Sequence, residues 1–384
     1  MPAFDEEIAR LVKELNALGG GASLPAIERD ESGLLRLDSL LARVRDAQGS
    51  DLLLVAGVPP TARVDGRLIA IDPHVLDPKS VRGLVLEMLD DAQRRRLETD
   101  RAVDLCFDRA GLGRFRCNAH FQRGTLAAAL RVLPPRIPTL GELRLPETLA
   151  RFSALERGLV LIAGPAGCGK STTLAALIHA INVTRSVHVV TVEDPVEYRH
   201  AHGTSIVEQM EVGHDVPSFA DALRSALRQD PDVILVGEMR DLATMSMTLS
   251  AAETGHLVFS TLHTGTVAQT LDRIIDVFPE DRQAQIRAQL ALSLAGIVIQ
   301  SLVPLREGPG RVPAVEILVV TDAMRNLIRR GQNHQIHAQM ALARGLGSVT
   351  LDESLARLVK SGAVSRDEAA RRAVHQEEFD QYLR

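Results

Sequence analysis

Nine residues constrain this chain more than any other stretch: Gly164-Pro165-Ala166-Gly167-Cys168-Gly169-Lys170-Ser171-Thr172. They match the phosphate-loop pattern G-x-x-x-x-G-K-[ST] at every fixed position. Just before them, Leu159-Val160-Leu161-Ile162-Ala163 is a continuous apolar run, the pattern of a strand buried on both faces. After them, Thr172 to Asn182 reads as a helix with Leu174, Leu177, Ile178 and Ile181 on one side. Strand, glycine loop and helix together put backbone N–H groups and a helix N-terminus around a phosphate chain. In such a loop Lys170 reaches the β- and γ-phosphates and the Ser171 hydroxyl holds Mg²⁺. The stretch therefore predicts an ATP–Mg²⁺ site.

Composition excludes several alternatives. No apolar run approaches the ~20 residues that a membrane helix needs. The N-terminus, Met1-Pro2-Ala3-Phe4-Asp5-Glu6-Glu7, is acidic, unlike a secretory signal. The three cysteines, Cys106, Cys117 and Cys168, are scattered, with no C-x-x-C pair, as in a reduced cytoplasmic protein. A net charge of −5 and 3% aromatic residues argue against a nucleic-acid partner.

At 384 residues the chain has room for two domains and an extension. Residues 1–36 start with an amphipathic helix (Ile8, Leu11, Val12, Leu15, Leu18) broken at Gly19-Gly20-Gly21. Residues 37–133 read as a small α+β domain. It opens with a helical stripe of Leu37, Leu40, Leu41 and Val44, then a strand over Asp51–Val55 and a hairpin signal at Asp65-Gly66. A helix is expected from Val81 to Leu97, then strands over Val103–Phe107, Arg114–Phe121 and Ala127–Leu133. The proline-rich segment 134–145 reads as a linker.

From residue 146 onward strands alternate with helices, which predicts a parallel doubly wound sheet. Val187–Val192 is a β-branched strand ending in Glu193-Asp194-Pro195-Val196-Glu197, which puts carboxylates on the ligand-binding edge. Ser218 caps a helix stopped at Asp230-Pro231-Asp232. Val233-Ile234-Leu235-Val236-Gly237-Glu238 is a second mononucleotide signal, an apolar strand tipped by an acid suited to polarise water. His256 and His263 bracket the strand Leu257–Thr261. A histidine at a strand end usually serves structure, but a pair flanking a core strand of such a sheet also suits hydrogen bonding to a γ-phosphate. Helices follow over Val267–Val277 and Arg282–Ile297, then antiparallel strands over Val298–Val303 and Val312–Val320. From about residue 322 the chain is helical, with Ser365 and Glu368 as a capping box for the last helix. In the first domain Arg114, Arg116, Arg123 and Arg131 crowd a short stretch. They fit either a solvated sheet face or a cationic set aimed at phosphate.

Four boxes are more specific. Val190-Thr191-Val192-Glu193-Asp194-Pro195-Val196-Glu197-Tyr198 resembles the aspartate box of secretion ATPases. Gly237-Glu238-Met239-Arg240-Asp241 resembles their Walker B continuation, and Glu253-Thr254-Gly255-His256 through Leu262-His263-Thr264 their histidine box. With the phosphate loop, their order and spacing resemble type IV pilus motor ATPases, above all the retraction ATPases of the PilT/PilU family. The resemblance spans about residue 37 to the C-terminus.

It implies an α/β fold in which a PAS-like α+β domain precedes a RecA-like P-loop ATPase domain. It also implies a cytoplasmic homo-hexamer at the inner face of the cytoplasmic membrane. The partners would be an inner-membrane pilus platform protein and a paralogous motor ATPase, with no nucleic acid. The implied activity is ATP hydrolysis coupled to pilus retraction and twitching. Glu238, Glu193 and His263 would act on the γ-phosphate and its water, and Arg123, Arg131 and Arg116 would face the phosphates. Gly164 to Thr172 and His256 would bind the nucleotide, with Ser171 on Mg²⁺. The alternatives are a pilus assembly or type II secretion ATPase, and an accessory nucleotide-binding regulatory paralogue. Assembly and type II enzymes usually carry a four-cysteine zinc insertion. This chain has no cysteine beyond Cys168, and His334, His337 and His375 read as scattered, so no zinc is expected.

Overall fold

The computed structural model describes residues 36–384 apart from positions 65 and 135. The helix expected around residues 8–18 lies outside the described residues. The chain divides into two compact units between Pro135 and Arg136.

The first unit is built from α1 (Leu37–Asp46), β1 (Asp51–Val55), β2 (Thr61–Val64), β3 (Arg67–Ala70), α2 (Pro78–Glu87), α3 (Asp91–Asp100), β4 (Ala102–Arg109), β5 (Gly113–Gln122) and β6 (Thr125–Leu133). Its six strands form one antiparallel sheet in the order β3-β2-β1-β6-β5-β4. The α1 stripe of Leu37, Leu40, Leu41 and Val44 is fully buried, which is why this helix docks by one face. On β5, Phe115, Cys117 and Ala119 point into the core, which leaves Arg114 and Arg116 together on the other face.

The single helix expected over Val81–Leu97 is two helices. Asp90 starts the second: its side chain accepts from Gln93 N at 2.8 Å, and Gln93 Oε1 accepts from Asp90 N at 3.1 Å. This reciprocal cap satisfies orphan N–H groups and makes a helix break cheap.

The second unit contains α4 (Thr148–Ser153), β7 (Gly158–Ala163), α5 (Lys170–Thr184), β8 (His188–Glu193), β9 (Ile206–Glu211), α6 (Phe219–Ala226), β10 (Val233–Val236), α7 (Leu242–Glu253), β11 (Leu257–Leu262), α8 (Val267–Asp276), α9 (Glu280–Ser293), β12 (Leu294–Pro304) and β13 (Arg311–Val319). Five helices close the chain: α10 (Asp322–Arg329), α11 (Ile336–Leu342), α12 (Leu351–Lys360), α13 (Arg366–Ala370) and α14 (Gln376–Leu383). The seven strands run β13-β12-β7-β11-β10-β8-β9, all parallel except the β12–β13 pair. Leu159, Leu161 and Ala163 feed the core on one face of the sheet, Val160 and Ile162 that on the other. Burial on both faces explains the unbroken apolar run of β7.

From Arg136 on, the segment read as linker folds with the second unit. Leu145 is buried in its core, and Leu140 and Leu143 pack against it. The helix expected over Arg282–Ile297 ends at Ser293, and Leu294–Ile297 open β12 beside β7. Pairing with β7 and β13 takes these residues into the sheet, and Gly296 leaves no room for a side chain, since a Cβ there would lie 2.3 Å from the Phe152 ring of α4. Ser365 does cap a helix, accepting from Glu368 N at 3.3 Å, but that helix is the short α13 and not the last one. β9 and α7 are elements that periodicity did not reveal.

Candidate functional site

Parallel register brings the ends of four strands to one edge. Leu262 of β11 is level with Ala163 of β7, and Val236 of β10 with both Val192 of β8 and Ser260 of β11. Gly164, Glu193, Glu238 and His263 follow directly on, or sit at, these ends. Crosslinks tie the tips together: Gly237 N donates to Val192 O at 2.8 Å, and Thr261 Oγ1 to Gly237 O at 2.6 Å.

The phosphate loop bridges β7 and α5. Lys170 is 9% exposed, and its Nζ donates to the carbonyl oxygens of Gly164 at 2.9 Å and Pro165 at 3.0 Å. Burial pulls its pKa down, while the neighbouring Cys168 and Glu238 oppose the shift. The ammonium is held over the loop, with carbonyl dipoles standing where phosphate oxygens would compete for it. Pro165, Ala166, Gly167 and Ser171 are exposed, and Cys168 is buried beneath them. Thr172 Oγ1 lies 2.9 Å from the Tyr198 hydroxyl, which ties the start of α5 to the segment after β8.

Gln300 in β12 is the support that the motif did not reveal. Its Nε2 donates to Cys168 O at 2.7 Å, and its Oε1 accepts from Thr173 Oγ1 at 2.8 Å. It is 4% exposed. Gly164, at φ +142°, has no room for a side chain, because a Cβ would fall 2.3 Å from Gln300 O. Thus β12 shapes the loop with both its backbone and one amide. The only sequence signal was a polar residue within the apolar run of β12.

Glu193 is half-buried at the tip of β8. Its Oε1 accepts from Thr191 Oγ1 at 2.8 Å and from Gln209 Nε2 of β9 at 3.2 Å. Burial pushes the carboxyl up to about 7, the two hydrogen bonds pull it back, and Glu197 and Glu211 push it further up. Glu238 is largely enclosed, with Arg240 at 2.7 Å on one oxygen and His263 Nε2 at 3.8 Å from the other. Burial and then the Lys170 charge hold the His263 imidazole neutral to lower pH, with Glu238 opposing. A carboxylate, a neutral imidazole, an ammonium and a hydroxylated helix N-terminus therefore share one edge. This set fits a nucleoside triphosphate and a hard cation such as Mg²⁺, toward which Ser171 would offer a hydroxyl.

His256 does not join them. It precedes β11, its Nδ1 lies 2.9 Å from Ala251 O, and its carbonyl accepts from Gly158 N at 3.0 Å. That is the opposite edge of the sheet, roughly 20 Å from His263 at about 3.3 Å per strand residue. The nucleotide-binding role expected of His256 is thus corrected to a structural one within its own unit, closing the turn between α7 and β11.

The arginines of the first unit are not one cluster. Arg116 and Arg131 pair across β5–β6, while Arg123 sits in the tight turn of that hairpin with φ +47°. Six or seven residues separate the two places, roughly 20 Å along a strand. Arg131 Nε donates to Asp51 Oδ1 at 3.0 Å and is mostly exposed.

Two outcomes follow from this geometry. Gln300→Leu keeps the volume and removes both loop hydrogen bonds. It should weaken ADP binding by about tenfold or more, as expected when a buried polar partner is lost, with circular dichroism unchanged. Undiminished affinity would remove Gln300 from the site. Glu193 is protonated below its shifted pKa and anionic above it. Turnover that needs the carboxylate rises with pH through about 7 and then levels off, and Glu193→Gln should abolish that limb. For stability the sign is the reverse: the Glu193 contribution is complete below the ordinary value of 4.5 and is lost as pH rises through about 7.

The Type II/IV secretion system protein family matches residues 137–371. The chain is 44% identical over 343 residues to the type IV pilus retraction ATPase PilT of Pseudomonas aeruginosa, covering 89% of this chain and 99% of that one. It is 40% identical over 335 residues to the type IV pilus ATPase PilU of the same species, covering 87% and 88%. A crystal structure of the pilus retraction motor PilT with bound ADP superposes with a TM-score of 0.82 at 43% identity, covering 89% of this chain and 98% of that one. Sequence match, RecA-like fold and converging strand ends agree: the chain belongs to the Type II/IV secretion system protein family, among its PilT-type ATP hydrolases.

Proposed function

We propose that this protein is a retraction motor that couples hydrolysis of Mg²⁺–ATP to disassembly of a type IV pilus, working as a homo-hexamer. The observation that carries this reading is the near end-to-end match to a retraction ATPase, laid over an edge where the phosphate loop, Glu193, Glu238 and His263 converge. In the proposed step Lys170 exchanges the Gly164 and Pro165 carbonyls for phosphate oxygens. Glu238 orients a water and takes its proton. A bond forms from that water to the γ-phosphorus, and the bond to the bridging oxygen of ADP breaks. His263 hydrogen-bonds the γ-phosphate, and Glu193 assists from the neighbouring strand. Ser171 would hold Mg²⁺, which when bound neutralises charge between the β- and γ-phosphates.

A phosphate-facing role for Arg116, Arg123 and Arg131 rests on the resemblance alone. Arg131 would have to leave Asp51 to fill it. Among the described residues no helix is long and apolar enough to cross a membrane. The proposed location, which rests on the resemblance, is the cytoplasm, held at the inner membrane face by a platform protein. Identity to PilU makes an accessory paralogue the second reading.

Turnover measurements separate these readings. Glu238→Gln should bind ATP yet hydrolyse it at least ~10²-fold more slowly, and Arg123→Ala and Arg131→Ala should each fall by a similar factor. Near-normal turnover in Glu238→Gln removes its assigned role, while half or more of normal turnover in the arginine variants returns them to a solvated face. A wild-type protein with negligible turnover is the accessory paralogue. In cells, a deletion strain should stay piliated and fail to twitch. A bald deletion strain would reassign the protein to pilus assembly.

A further inference from the structure

The C-terminal helices carry a group of side chains that ATP hydrolysis does not use. His337 in α11 and His375 and Glu378 at the start of α14 are 38 and 41 residues apart in sequence, yet each offers a ligand atom within 4.8 Å of the others. His337 Nε2 lies 3.1 Å from Glu378 Oε2, and the two imidazole rings have centroids 4.2 Å apart. Donor atoms around a tetrahedral ion at about 2.0–2.1 Å are themselves about 3.3 Å apart. The histidine–carboxylate pair already has that spacing, and the His375 ligand atom lies within 4.8 Å of both.

Two further observations point to a bound ion and away from a simple polar surface. First, His375 is oriented from behind. Its Nδ1 lies 3.1 Å from Oδ2 of Asp352, a residue 1% exposed, and Asp352 also accepts from Val374 N at 2.8 Å and His375 N at 3.1 Å. A fixed carboxylate on Nδ1–H leaves Nε2 as the outward lone pair, the arrangement that metal-ligating histidines use. Second, His337, His375 and Asp352 line a cavity of about 250 Å³ beside the group, although Glu378 does not. Asn333, 5% exposed, lines the same cavity, and its Oδ1 has no hydrogen-bond partner.

We propose that His337, His375 and Glu378 form a binding site for one borderline divalent metal ion, with Zn²⁺ the best match to two imidazoles and one carboxylate. Mg²⁺ and Ca²⁺ take oxygen ligands, so this site and the phosphate-loop site select different ions. The ion clamps α11 to the first turn of α14 and so pins the terminal helix. Thiolates were the signal sought in the sequence, and their lack hid a site made of imidazole and carboxylate.

The test uses full-length, chelator-stripped, nucleotide-free protein with excess Mg²⁺ present, titrated with Co²⁺ and read by its visible d–d absorption. The expected result is one saturable Co²⁺ per chain, displaced by Zn²⁺ and accompanied by a rise in melting temperature. His337→Gln and His375→Gln should each weaken binding by at least ~10²-fold, and Asp352→Asn by about 10–100-fold. His334→Gln, a neighbouring exposed histidine outside the group, should bind as wild type does. ATPase turnover near normal in the His337 and His375 variants shows that they remain folded. No saturable uptake by wild type, or binding unaffected in the double His337→Gln/His375→Gln variant, overturns the site and leaves a polar contact between two helices.

Discussion

The chemistry of this chain depends on parallel pairing at β7, β11, β10 and β8. A parallel sheet points every strand the same way, so each strand delivers its next residue to the same edge. Gly164, Glu193, Glu238 and His263 are up to 99 residues apart in sequence, and only the shared register makes them neighbours. Order along the edge matters as much. β11 lies between β7 and β10, so His263 is set between the phosphate loop and Glu238. That position explains why its imidazole feels both the Lys170 cation and the Glu238 carboxylate.

Gathering charges at one edge costs solvation. Lys170 and Glu193 are both shifted toward their neutral forms, and in both burial is the largest cause. The two costs are offset differently. Lys170 rests on two loop carbonyls, those of Gly164 and Pro165. Glu193 is supported by side chains, Thr191 from its own strand and Gln209 from β9. An incoming dication would reverse the preference for a neutral carboxyl without moving the backbone. Both offsets come from groups within the second unit itself.

The phosphate loop, the acidic strand tips and the alternation of strands and helices were legible because each is written in a short contiguous stretch. Periodicity also located α1 and the β4–β5–β6 meander. It overran at two places where another interaction outweighs a regular pattern: the Asp90–Gln93 cap that splits the helix expected over Val81–Leu97, and the pairing with β7 and β13 that turns the end of the expected Arg282–Ile297 helix into strand. Gln300 was invisible for a different reason. Its partners lie 127 and 132 residues away, and no local pattern encodes such a distance. α7 hid because Thr and Ser alternate with its apolar residues, both threonines on the buried side, so no clean apolar stripe shows. His256 was misplaced because two histidines close in sequence on one strand sit at opposite edges of the sheet.

The segment that carries His263 is anchored at both of its ends. On one side Thr261 is bonded to Gly237, beside Glu238. On the other, Thr266 caps α8 by accepting from Gln269 N at 3.2 Å, and Val267 N donates to the buried Glu316 of β13 at 3.3 Å. Thr264 adds a bond to Thr270 inside the same helix at 2.7 Å. These bonds tie the His263 segment to the tip of β10 on one side and to the start of α8 on the other. The cavity lined by Thr266, Val267, Asn333, His337 and His375 abuts that same helix start. Residues of the C-terminal helices therefore lie beside the start of the helix that follows His263.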